Sequence, residues 1–356
     1  MTETLFFILF LVLVVLLLAL DMGVFHKKDH NIGFKEALFW TIVWISVALL
    51  FYVLLVFKAE WTHGINSMQD LVQYKQHYAN SLPLNENLPF IENLKVFRDV
   101  VSLEYLTGYL IEKALSLDNI FVILLIFTSF KVETKYYHRV LFYGIIGAIV
   151  MRFAFIFLSS TLIQHFHWIL LIFGAFLAYS GIKIFFEKQK KEMKVEKHPV
   201  VRFFSKLKLS TPNYYGHNFF VKIDGKRLLT PLFVVLIVIE FSDVIFAVDS
   251  IPAIFSVTHD PYIVFYSNIF AILGLRSLFF VLQSIIDKFR FLKTGLACLL
   301  AFIGIKMILP FLMQLIQKYS ETPVWDGEIS TPISLLAIVG ILAASIAASL
   351  IVKNKK

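Results

Sequence analysis

Nine stretches of roughly 20 apolar residues constrain this chain more than any other feature, because a helix needs about that many to cross the ~30 Å hydrocarbon core of a bilayer. They run 4–21, 36–57, 104–127, 138–160, 166–186, 229–250, 262–285, 292–317 and 332–352. In water all of them would have to be buried. With 58% of 356 residues hydrophobic, 38 of them Phe, and 16% charged, that core would exceed what a chain of this size can enclose. Lipid must cover the remainder, so the expected fold is all-α: a polytopic membrane protein of about nine transmembrane helices. The first stretch has no basic n-region or small-residue cleavage site and ends in Asp21, so it reads as a membrane helix and not a signal peptide. The single Cys298 excludes an internal disulfide and any cysteine-built metal cluster.

The net charge of +8 is a matter of topology and not of nucleic acid, since the basic residues fall between apolar segments. Of 33 Lys and Arg, five lie inside spans: Lys113, Arg152, Lys183, Arg276 and Lys306. Of the others, 23 fall in 22–35, 128–139, 187–228, 286–293 and the tail, against five in the alternate segments. The positive-inside rule then sets the N-terminus outside and the C-terminus in the cytoplasm. The expected organisation is two N-terminal spans (1–57), an extracytoplasmic loop (58–103), three spans (104–186), a basic cytoplasmic insert (187–228), three more spans (229–317), and a last span with a basic tail (318–356). The insert reads as a solvated linker near anionic lipid.

The fifth and eighth spans repeat one another. FHWILLIFGAFLAYSGIK (166–183) and FRFLKTGLACLLAFIGIK (289–306) both end in Leu-Ala-aromatic-x-Gly-Ile-Lys, offset by 123 residues. Arg152 and Arg276 are offset by 124, and Asp118-Asn-Ile-Phe and Asp243-Val-Ile-Phe by 125. Spans three to five are therefore expected to be duplicated in spans six to eight. Three is odd, so the copies enter the membrane from opposite sides as an inverted repeat, which places equivalent residues about a shared midplane.

Charge at a bilayer centre costs at least about 2.5–3.5 kcal/mol per residue on insertion scales. Yet six acids lie in or at the ends of spans: Asp21, Glu112, Asp118, Glu240, Asp243 and Asp249, with Ser116, Asn119, Ser242, Ser250 and Asn268 as neutral oxygen donors. Such an inventory suits a hard divalent cation. Glu240 and Asp243, three apart, share a helix face, whereas Glu112 to Asp118 and Asp243 to Asp249 are six apart and diverge. Pro252 and the run 116–119 make local unwinding an expected remedy. Arg152 and Arg276 offer the competing reading, in which each neutralises an acid and ties two spans together. Asp21 serves equally as site residue or cap, Lys183 and Lys306 read as snorkelling, and His165, His167 and His259 as interfacial packing.

These residues resemble a known family. GYLIEKALSLDNIFVILLIF and TPLFVVLIVIEFSDVIFAVDSIPAIF, with HRVLFYGIIGAIVMR and YSNIFAILGLRSLFF, are similar to the signature blocks of the TerC/Alx membrane proteins over residues 20–306. The resemblance implies Mn(II) export across a bacterial inner membrane, and marks Glu112, Asp118, Asn119, Glu240, Asp243 and Asp249 as the family's acidic-motif positions. Protons are the expected coupling ion, and no prosthetic group is expected. Two rivals are a tellurite or other oxyanion carrier using Arg152 and Arg276, and a structural component of a resistance complex. An enzyme is not expected, since no nucleophile–base pair or phosphate-binding glycine loop is found, and without an ATPase signature transport must draw on a gradient.

Overall fold

The computed structural model describes residues 2–25, 33–79, 82–85, 87–166, 168–186, 211, 213–223, 226–285, 291–318 and 325–351. The expected helical architecture is what forms. Helices α1 (Glu3–Phe25) and α2 (Phe34–Lys58) are followed by the short α3 (Glu60–His63) and α4 (Met68–Tyr78). Then come α5 (Phe90–Ser129), α6 (Thr134–His165) and α7 (Ile169–Phe186). A small antiparallel hairpin, β1 (Phe220–Ile223) and β2 (Lys226–Leu229), departs from the all-α expectation and leads into α8 (Pro231–Phe255). The chain continues through α9 (Pro261–Leu273), α10 (Leu275–Ile285), α11 (Leu292–Gln317) and α12 (Thr331–Ile351). Most of the 187–228 insert, the basic tail and His167 lie outside the described residues.

Among the described residues six helices, α1, α2, α6, α8, α11 and α12, are long and apolar enough to cross a membrane, and α9 with α10, bent by 45° at Gly274, make a seventh if taken as one span. Helix α7 has 18 residues, and the 40-residue α5 carries too much charge to qualify by composition. Leu9, Leu16, Ile42, Leu50, Ile172 and Leu336 stand exposed on these helices, as a lipid-facing surface requires.

The region expected to be an extracytoplasmic loop, 58–103, is largely helical instead. It holds α3, α4 and the start of α5, which at 1.5 Å per residue runs about 60 Å, twice the thickness of a bilayer core. The charged Glu92, Lys95 and Asp99 hide this from a hydropathy reading. They are exposed, while Leu94, Phe97, Val101 and Tyr105 form one buried stripe at helical spacing. The expected unwinding is also absent. Helix α5 runs unbroken through 116–119, and α8 through Asp249 and Pro252. Pro252 lies in the last turn of α8, where losing one hydrogen bond does not break the helix.

Helix α5 packs against α8 and α9, and α6 against α8. The repeated motif forms a seam of its own between α7 and α11, with almost no side chain in between. A Cβ on Gly304 would stand 2.4 Å from the backbone nitrogen of Ala178, and one on Gly181 2.6 Å from that of Ala301. The same Cβ atoms would meet the carbonyl oxygens of Gly174 and Ala297, each at 2.7 Å. Close approach of this kind through small residues is how apolar helices associate in lipid.

Candidate functional site

Helices α5, α6, α8 and α9 meet around one guanidinium. Arg152, on α6, is 1% exposed. Its Nη1 donates to Glu112 Oε1 on α5 and, at 3.2 Å, to Asn268 Oδ1 on α9. Its Nη2 and Nε donate to Asp243 Oδ1 and Oδ2 on α8, at 3.0 and 3.3 Å, the two-pronged geometry that a guanidinium offers a carboxylate. Asn268 completes the ring by donating from Nδ2 to Glu112 Oε2 at 3.0 Å. Glu112 is thus fully buried with both oxygens satisfied. The close approach that permits this begins one turn earlier at Gly108, where a Cβ would lie 2.9 Å from Ser267 Oγ on α9. Removing one member of a buried pair of this kind costs about 3–5 kcal/mol, because the other charge is left without compensation.

Glu240 precedes Asp243 by one turn of α8 and also faces α6. Its carboxyl rests against Gly147, whose Cβ, were there one, would be 2.3 Å from Oε1. No described residue forms a hydrogen bond or ion pair with it. A second buried pair joins α1 to α10: Arg276 Nη2 donates at 2.6 Å both to Asp21 Oδ2 and to the Asp21 carbonyl oxygen, and Nη1 lies 3.2 Å from His138 Nδ1 on α6.

Of the residues singled out in the sequence, the structure brings together Glu112, Asp243, Asn268 and Arg152, and separately Asp21 and Arg276. The side chains of Asp118 and Asp249 lie outside the described residues. Close to them in sequence, the buried hydroxyls of Ser116 and Ser250 have no hydrogen-bond partner among the described residues, and Asn119 is buried. Among the described residues no group of three or more His, Cys, Asp and Glu is placed to hold a metal ion. Lys113 turns away from Glu112 and donates to the Ala271 carbonyl, as its adjacency in sequence requires. Lys183 is exposed, but Lys306, expected to snorkel, is buried at 9% exposure. His165 bonds to its own helix at the Thr161 carbonyl, 2.9 Å away.

Two features escaped the sequence reading. Glu104, eight residues before Glu112 on α5, is buried, with Oε2 unpaired among the described residues. At the end of the bundle where α3 and α4 sit, His63 Nε2 lies 2.7 Å from Asp260 Oδ2, to which Tyr74 also donates at 3.1 Å. Asp260 is itself the N-cap of α9, its Oδ1 accepting the Tyr262 N–H at 2.9 Å. Burial alone would push the His63 imidazole down, but the charge and hydrogen bond of Asp260, helped by Glu3, carry it up to about 9. A cavity of about 230 Å³ lined by Glu3, His63, Asp70, Tyr74, His77 and Tyr78 opens beside it. The Asp-Pro pair at 260–261 was the available signal, since it is a helix start.

The family model for the integral membrane protein TerC family matches residues 99–356. The uncharacterized membrane protein STKORF319 of Myxococcus xanthus is 40% identical over 343 residues, covering 96% of this chain and 91% of its own. An Escherichia coli K12 protein with the provisional name membrane-bound redox modulator Alx is 42% identical over 301 residues, 84% of each chain. An uncharacterized membrane protein of Rickettsia bellii is 38% identical over 347 residues, 98% of this chain and 97% of its own. No solved structure matches the chain.

Proposed function

We propose, from the premise that this chain belongs to the TerC family of integral membrane proteins, that it exports a divalent metal cation, Mn(II), across a bacterial inner membrane. One observation carries the reading. Deep in an apolar bundle, carboxylates from α5 and α8 and an amide oxygen from α9 surround a positive charge, so the surround is built for a cation. The hydroxyls of Ser116 and Ser250, buried and without a hydrogen-bond partner among the described residues, add oxygens close in sequence to Asp118 and Asp249, the other expected ligands. Asn119 completes the set, with Glu240, one turn from Asp243, as a proton carrier. Such donors suit Mn, Ca and Mg alike, and the choice of Mn follows the family resemblance. Nothing here favours an oxyanion, because Arg152 is already committed to two carboxylates whose charge would repel one.

The chain acts as a carrier and not an enzyme, with nine spans, N-terminus outside, and protons as the coupling ion. Its two three-helix units, 104–186 and 229–317, form an inverted repeat that rocks about the midplane. The α7–α11 seam supports this, since exchanging the two repeat copies exchanges Gly181–Ala301 with Gly304–Ala178. The same exchange swaps the α5–α9 pairing for α8–α6, and both are present. Asp118→Asn or Asp243→Asn is expected to abolish Mn(II) efflux from vesicles while leaving membrane insertion intact. Normal efflux by the double variant overturns the reading. An oxyanion carrier would instead fail on replacement of Arg152 or Arg276, with the acids dispensable.

A further inference from the structure

We infer that Arg152 is a tethered stand-in for the transported cation, occupying the Glu112–Asp243–Asn268 oxygens when no metal is present and moving to Glu240 when one arrives. The inference rests on the cation-transport reading above and specifies how that site is kept neutral between cargoes. Four features of the bundle carry it.

First, among the described residues the guanidinium is held by groups of the kind that ligate hard cations: Glu112 Oε1, both oxygens of Asp243, and Asn268 Oδ1. Second, these groups come from three helices and Arg152 from a fourth, so one rotation of a long side chain empties the place without moving a backbone. Third, a displaced guanidinium needs a new counter-charge, because leaving it buried and unpaired is prohibitive. Glu240 fits that need. It sits on the α8 face that meets α6, one turn from Asp243, and no described residue pairs with it. Helical side chains lean toward the N-terminus of their own helix, so a released Arg152 side chain is directed back along α6, the direction in which Gly147 and the Glu240 carboxyl against it lie. Fourth, Arg152 is the one guanidinium among three described carboxyls here, two paired with it and Glu240 one turn away. With all three ionised, two negative charges are left over, the charge of one divalent ion.

The exchange has a direct thermodynamic consequence. A metal that must evict a bound guanidinium binds more weakly than one entering an open site, so Arg152 lowers affinity and drives release. Mn(II) binding, read by electron paramagnetic resonance of the purified full-length protein in lipid nanodiscs, tests this apart from transport. Arg152→Gln is expected to lower the Mn(II) Kd at least about tenfold, because two unpaired carboxylates await the ion, while efflux falls through failed release. Arg152→Lys, still a tethered cation, is expected to lie between. Glu240→Gln is expected to raise the Kd about tenfold, since the displaced arginine then has no partner. The double variant separates this from direct ligation by Glu240: it is expected to bind as tightly as Arg152→Gln alone, whereas a loss carried over into the double overturns the inference. A folded Arg152→Gln protein with unchanged or weaker affinity also overturns it. If Arg152→Gln fails to fold, Glu240→Gln and Arg152→Lys decide, and unchanged affinity in both overturns it. Wild-type protein that neither binds nor exports Mn(II) overturns the proposed function and this inference together. Export by wild type with all variants binding alike overturns this inference alone.

Discussion

Gly147 has no side chain, and the carboxyl of Glu240 occupies the space one would fill. Replacing it with Leu drives apolar bulk into a half-buried acid, and overpacking of that kind costs about 1–3 kcal/mol. The expected outcome is a folded protein with a lower melting temperature, read by tryptophan fluorescence in detergent, and with no Mn(II) efflux. Serine, smaller and polar, is expected to retain more of both. The acids were legible residue by residue because charge in an apolar span is expensive and stands out. Their pairing was not. Nothing in sequence spacing says that Glu112, Asp243 and Asn268, scattered over 156 positions, converge on Arg152. The duplicated arginines suggested neutralisation, and that part of the reading is what Glu112 and Asp243 display.

At the scale of elements, α3 is fastened to the start of α9 by His63 and Asp260 and to α5 by Arg98, which donates to Glu60 at 2.5 and 2.8 Å, while α4 is fastened to α9 through Tyr74 and Asp260. A histidine raised from its ordinary 6.5 to about 9 contributes fully below the lower value and loses its contribution as pH rises through the higher one. Asp260, Glu3, Tyr74, Tyr78 and Tyr262 surround it, and the carboxylates hold its proton. Hydrogen exchange over 60–78 is therefore expected to accelerate between about pH 8 and pH 10 beyond its intrinsic rate, and His63→Gln to show that fast exchange already at neutral pH. A wild-type profile without extra acceleration contradicts the assignment. These helices were missed because hydropathy searches for lipid-facing segments, and α4 and the start of α5 bury a narrow stripe against protein while keeping charge outside. The spans themselves were readable, since bulk apolarity needs no partner to be recognised.

For the whole molecule, orientation follows from where the basic residues lie. With Cys298 replaced by Ser to give a cysteine-free chain, Asn87→Cys is expected to react with a membrane-impermeant maleimide on intact cells, and Asn213→Cys after permeabilisation alone. Both positions are exposed in the structure. The reverse pattern overturns the proposed orientation. The motif shared by α7 and α11 was legible because helices that touch backbone to backbone tolerate few residue types. At the α7–α11 seam each glycine abuts the other copy's alanine, so a bulkier side chain in either half lifts both helices. The small residues of the two segments are consequently bound to one another: enlarging either spoils the fit of both, whereas the lipid-facing sides of the same helices carry no such mutual condition.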